Sequence, residues 1–146
     1  MENPILYMAY SGKYKPTNPK KYKGDPTKII YRSLWERKFM NFCDTKPSVT
    51  KWASEEIFIP YRSPRDGKVH RYYPDFYMKT GDKESIIEIK PLKQCKPPKE
   101  PKRKTAKYKA ECLTYLVNQA KWKYARKWCK ARGLSFVVLT EKDLNV

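Results

Sequence analysis

The stretch from Tyr72 to Pro91, YYPDFYMKTGDKESIIEIKP, constrains this chain more than any other. Two β-prone runs flank the turn sequence Thr80-Gly81-Asp82-Lys83, so the stretch reads as two short strands joined by a reversal. Strand side chains alternate between faces, which sends Glu88 and Lys90 one way and Ile87 and Ile89 the other. If the strands pair as a hairpin, Asp75 sits beside Glu88 on the polar face. Two acids and a lysine converging at the end of a sheet can seat a divalent cation and a phosphate.

The flanking sequence supplies the scaffold. Ser33-Leu34-Trp35-Glu36 opens a helix running to about Asp44, with Leu34, Trp35, Phe39, Met40, Phe42 and Cys43 as a wide apolar face. Ser33 at N-cap and Glu36 at N3 fit a capping box, which gives Glu36 a purely structural role. Alternation of Ile57, Ile59 and Tyr61 indicates a strand over Glu55 to Arg62, and Asp66-Gly67 supplies hairpin turn chemistry. The next strand is expected from about Val69 to Met78, carrying Asp75, with Pro74 imposing a bulge or an edge. Ser85 to Lys90 completes a three-stranded meander.

Beyond it, Tyr108, Cys112, Tyr115 and Leu116 repeat at helical spacing, as do Trp122, Ala125, Trp128 and Cys129. This predicts two helices, or one bent near Asn118, with the aromatic stripe in the core. Lys121, Lys123, Arg126, Lys127, Lys130 and Arg132 are expected on the outer face. Gly133 stops the helix, Ser135 to Leu139 is a buried strand, and the last residues form a polar end. The order α-β-β-β-α-β predicts an α/β fold of the α+β kind, with a mixed central sheet flanked by helices.

Charge identifies the partner. Lys and Arg number 33 against 15 Asp and Glu, a net +18 that opposes compaction and answers to a polyanion. Twelve Tyr and four Trp add faces on which bases stack, so nucleic acid is the expected partner. By size the chain divides into a basic N-terminal arm, residues 1–31, and one domain, 32–146. Lys13 and Lys15 belong to the Lys-Tyr interleaving of the arm, which suits a phosphate backbone. Between Pro91 and Ala110, Lys93, Lys96, Lys99, Lys102, Arg103, Lys104, Lys107 and Lys109 face only Glu100, a positive rim immediately after Lys90. The four cysteines show no C-x-x-C spacing, so no structural zinc is expected, and Cys43, Cys112 and Cys129 read as buried free thiols. With no signal peptide and no apolar run near 18 residues, a soluble cytosolic protein without a membrane partner is expected.

Pro74-Asp75, then Glu88-Ile89-Lys90 thirteen residues on, with Glu36 on an upstream helix, resembles the PD-(D/E)xK nuclease superfamily of restriction-endonuclease-like fold. Met8-Ala9-Tyr10-Ser11-Gly12-Lys13-Tyr14, Tyr31-Arg32-Ser33-Leu34-Trp35-Glu36 and Lys121-Trp122-Lys123 look like the head-completion nucleases of T4-like tailed phages. That likeness spans nearly the whole chain from Met8, leaving Met8 as an alternative initiator. Arg32 to Glu36 is also similar, more distantly, to TnsA-type transposon endonucleases.

The resemblance implies an endonuclease that trims packaged double-stranded DNA before the tail joins, in the host cytoplasm, with retention in the virion and portal or neck partners left open. It implies Asp75 and Glu88 as metal ligands with the Ile89 carbonyl, Lys90 beside the attacking water, and Glu36 as the helical acid. Mg²⁺ is the expected ion, with Mn²⁺ able to substitute. Beside two acids Lys90 keeps its charge, which favours electrostatic stabilisation over general-base chemistry. Arg32 joins Lys13, Lys15 and the rim residues Lys93, Lys96, Lys102, Arg103 and Lys104 as expected DNA contacts. Two other readings stay open: a non-catalytic head or neck adaptor, against which the intact acid-acid-lysine set argues, and a junction resolvase or transposase subunit of the same fold.

Overall fold

A computed structural model describes residues 10–146; Met8, the alternative initiator, and Ala9 lie outside the described residues. In chain order the elements are β1 (Gly12–Lys13), a 3-10 turn (Pro19–Lys21), β2 (Ile30–Tyr31), α1 (Leu34–Thr45), β3 (Val49–Ser54), β4 (Ile59–Arg62) and β5 (Val69–Tyr72). Then follow β6 (Phe76–Thr80), β7 (Lys83–Ile89), a second 3-10 turn (Leu92–Cys95), α2 (Ala106–Ala131), β8 (Ser135–Leu139) and α3 (Glu141–Leu144).

The central sheet has the order β3-β6-β7-β8, antiparallel except for the β7–β8 pair. It is the mixed sheet expected, flanked by helices in a restriction-endonuclease-like α+β arrangement. Its first strand, however, is β3 rather than the predicted Glu55–Arg62 strand. The sequence hides β3 because a register shift between Val49 and Lys51 breaks the period of two, burying Val49, Trp52, Ala53 and Ser54 together. The predicted Val69–Met78 strand is two strands. Pro74 cannot donate to a ladder, and the chain leaves one sheet there and enters another. β4 and β5 pair only with each other, as a separate ribbon.

Local chemistry sets α1. The Ser33 hydroxyl caps it by accepting from the Glu36 amide at 3.1 Å, and Trp35, Phe39, Met40 and Cys43 turn inward at helical spacing. Phe42 stays on the surface, stacked on Phe39. The basic segment ahead of α1 is packed in its described part. Tyr22 and Ile29 are buried, and the rings of Tyr14 and Tyr22 meet fully buried Trp52 edge-on at 6.0 and 4.7 Å. Asp44, also fully buried, accepts from the Tyr14 hydroxyl and the amides of Thr17 and Asn18 at 2.7 to 2.9 Å.

α2 is one continuous helix of 26 residues, without a break at Asn118. Only its second half is core: Val117, Asn118, Trp122, Ala125 and Cys129 are buried, whereas Leu116 is exposed and Tyr108, Cys112 and Tyr115 are partly covered. β8 is half-buried rather than buried, since it is an edge strand. The expected polar end is α3, closed by a reciprocal Thr140–Asp143 capping box and anchored by buried Leu144. Among the described residues no helix is long and apolar enough to cross a membrane.

Candidate active site

The two-residue reversal at Gly81-Asp82, with Gly81 at φ 59°, pairs Thr80 with Lys83 and carries the register up to Phe76 opposite Ile87. Antiparallel pairing continued by one residue sets Asp75 against Glu88. Asp75 lies in the bend between the ribbon and the central sheet, and its Oδ2 accepts the Ile89 amide at 2.8 Å. Glu88 is buried within β7. Its Oε1 accepts the Tyr72 hydroxyl at 2.7 Å, and its Oε2 lies 3.5 Å from Lys90 Nζ. Asp75, Glu88, Ile89 and Lys90 are thus brought together.

Burial, then the negative charges of Glu88 and Glu36, hold the Asp75 carboxyl well above the usual range, against the Ile89 amide and Lys90. Burial raises Glu88 as well, opposed by Lys90, the Tyr72 hydrogen bond and Lys121. Bringing two carboxylates out of water side by side is unfavourable unless a cation joins them. The donors on offer are all oxygen, two carboxylates and the Ile89 carbonyl, which suits a hard divalent ion. The residues therefore fit such an ion, although among the described residues no group of three His, Cys, Asp or Glu side chains forms a metal site.

Glu36 reaches this centre through its field. Its carboxylate is turned toward the start of α1, with Oε1 accepting the Arg32 amide at 3.3 Å and Oε2 the Ser33 hydroxyl at 3.4 Å. Burial is the main influence raising it, and Glu55 adds to that.

The basic residues fall into separate groups. Lys93 follows Lys90 on the second 3-10 turn, with Lys96 just beyond, and both are exposed. Lys102, Arg103 and Lys104 are exposed on the loop before α2, where Lys104 approaches Glu100 at 3.8 Å. Arg32 is engaged: its guanidinium bridges both Glu55 oxygens at 2.9 and 3.1 Å. Lys13 and Lys15 are exposed beside Tyr14, whose hydroxyl is tied to Asp44, two helical turns and about 12 Å along α1 from Glu36.

Two residues at the centre were not expected there. Tyr72, the last residue of β5, holds Glu88 across the strand break. No spacing rule links them, because ribbon and sheet are separate. Lys121, expected on the outer face of α2, is half-buried, with Nζ 5.8 and 5.7 Å from the ring centroids of Tyr61 and Tyr72. A signal for it existed, since Val117, Lys121 and Ala125 form one helical row.

Comparison with known proteins bears on what such a centre does. The family model for the TnsA-like endonuclease N-terminal domain matches residues 46–141, a span that contains Asp75, Glu88 and Lys90. The chain is also 44% identical over 143 residues to the head completion nuclease of Enterobacteria phage T4, covering 94% of this chain and 95% of that protein.

Proposed function

The chain belongs to the TnsA-like N-terminal endonuclease family, and on that premise we propose that it hydrolyses phosphodiester bonds at a divalent-cation site formed by Asp75 and Glu88. It is a DNA endonuclease acting in phage head completion. The substrate we assign is packaged double-stranded DNA, cut in the host cytoplasm before tail joining.

One observation carries the assignment: Asp75 Oδ2 accepts the Ile89 amide at 2.8 Å, beside Glu88, whose Oε2 lies 3.5 Å from Lys90 Nζ. Asp75 and Glu88, with the Ile89 carbonyl, are the proposed ligands of Mg²⁺. When bound, the ion acidifies the attacking water and offsets charge on the phosphoryl oxygen. The protein contributes the rest. Tyr72 fixes the Glu88 carboxylate by a hydrogen bond, so the ligand is oriented before the ion arrives. Lys90 brings positive charge to the phosphate as it gains negative charge during attack. Glu36 adds negative potential that favours the cation. Lys93, Lys96, Lys102, Arg103 and Lys104 lay a basic track for the backbone, and Lys13, Lys15 and Arg32 extend it.

A supercoiled plasmid provides the test. Purified protein nicks or linearises it in Mg²⁺ or Mn²⁺ and not in EDTA, and Asp75→Asn and Lys90→Ala lose cleavage while remaining folded. Cleavage that survives EDTA, or survives in either variant, removes the assignment.

A further inference from the structure

Lys121 interrupts a buried row. Val117 and Ala125, one turn before and one turn after it on α2, are both buried, so the same helical face carries Lys121 inward. Its ammonium stands over Tyr61 and Tyr72, and the Tyr72 hydroxyl leads directly to Glu88. Among the described residues no carboxylate pairs with it within 4.0 Å, although Lys90 nearby has Glu88. Ring faces return less to an ammonium than it loses by leaving water without a counter-ion. Burial weighs most against its charge; Lys90 repels it, Glu88 attracts it, and Arg65 adds a weaker repulsion. Half-buried beside a second cation, Lys121 feels Glu88 but has no anion in contact among the described residues.

We propose that Lys121 is a phosphate-binding residue of the active centre, taking one DNA backbone phosphate between itself and Lys90. The phosphate gives Lys121 a counter-charge in place of the water that burial removed, and it relieves the repulsion between the two lysines. Apolar packing of Val117, Trp122 and Ala125 on Ile59, Tyr61 and Tyr72 of the ribbon holds Lys121 at that place. The inference rests on Asp75 and Glu88 being the centre of cleavage.

The test is binding of a duplex oligonucleotide in EDTA across a salt series. Lys121→Met lowers the slope of log affinity against log salt by about one, the contribution of one neutralised phosphate. Lys121→Arg restores it. Among the positions where a single neutral methylphosphonate, walked along the strand, weakens wild-type binding, one beside the cut becomes silent in Lys121→Met. A merely structural lysine would change the melting temperature and leave both readouts unaltered, and that result overturns the proposal. If Lys121→Met does not fold, Lys121→Gln, which keeps a polar tip, decides by the same two readouts. Asp75→Asn cleavage is run in parallel. Should it cut like wild type, the assignment of the centre falls; should it be inactive while Lys121→Met binds like wild type, only the role of Lys121 falls.

Discussion

Tyr72 ends the small ribbon and donates its hydroxyl to Glu88 Oε1, in the central sheet, at 2.7 Å. The bond spans two sheets that share no ladder, and it fixes a carboxylate whose other oxygen faces Lys90. Partners that orient a ligand typically contribute 10–100-fold to metal affinity or activity. Tyr72→Phe is therefore expected to slow plasmid cleavage about 10–100-fold and to raise the Mg²⁺ needed for half-maximal rate, with little loss of DNA affinity. Cleavage at the wild-type rate and the wild-type Mg²⁺ requirement would make this bond a packing feature.

The raised Asp75 carboxyl makes a stability prediction. Because its folded value lies above the unfolded one, the metal-free native state holds a proton that the unfolded chain has released. In that window, from about pH 4 up to the raised folded value, stability falls as pH rises. Asp75→Asn removes this loss. Its metal-free melting temperature should exceed that of wild type at neutral pH, and the two should converge toward pH 4. Added Mg²⁺ should stabilise wild type but not the variant. Parallel melting curves across that range, with and without Mg²⁺, would contradict both expectations.

How much of this was legible in the chain depends on the range of the interaction. The Gly81-Asp82 reversal, the alternation around Glu88 and the Ser33 cap act over a few residues, so Asp75 beside Glu88 and the α1 boundaries follow from local rules. β3 escaped because its bulge abolishes the pattern on which a strand is recognised. The course of the chain at Pro74 escaped because a proline shows that a ladder stops and not which sheet the chain joins next. Tyr72 and Lys121 depend on how ribbon, sheet and α2 pack, and their partners lie 16 or more residues away. A charge on a helix looks solvated until its row is read together with Val117 and Ala125.

Asp44 anchors the basic segment ahead of α1. Three donors, the Tyr14 hydroxyl and the Thr17 and Asn18 amides, converge on its carboxylate; Asp44 itself is fully buried, Tyr14 is half-buried, and Thr17 and Asn18 are exposed. Each hydrogen bond to a charged acceptor contributes about 1.5–3 kcal/mol, less where water can replace it. Asp44→Ala should lower stability by at least ~3 kcal/mol, a fall of about 6–12 °C in melting temperature for a chain of this size. Limited proteolysis should then cut between residues 13 and 28 first. An unchanged melting temperature would mean that the segment contributes nothing to the fold.

The loop before α2 is expected to act on DNA through charge alone. Lys102 and Arg103 are exposed, and Lys104 has only a surface pair with Glu100, worth little in water. Replacing all three by Glu should flatten the salt dependence of DNA binding by about two to three units of slope, without altering the cleavage rate at saturating DNA. A wild-type slope would route the DNA elsewhere on the surface.

Glu36 has two roles that a single substitution can separate. The helix cap proper is Ser33, whose hydroxyl accepts the Glu36 amide, and that bond survives any change of the Glu36 side chain. The carboxylate accepts the Arg32 amide and the Ser33 hydroxyl, and its charge is among the influences raising Asp75. Glu36→Gln keeps an amide oxygen for one of those bonds and removes the charge. If the charge helps hold the cation, half-maximal cleavage should require about tenfold more Mg²⁺, while the melting temperature stays close to wild type. Glu36→Ala should show the same Mg²⁺ shift and lose about 1 kcal/mol of stability besides, from the hydrogen bonds its carboxylate accepts. The acidic limb of the rate profile should move to lower pH in Glu36→Gln, because Asp75 loses a negative neighbour and ionises more readily. An unchanged Mg²⁺ requirement together with a lower melting temperature would confine Glu36 to the helix terminus.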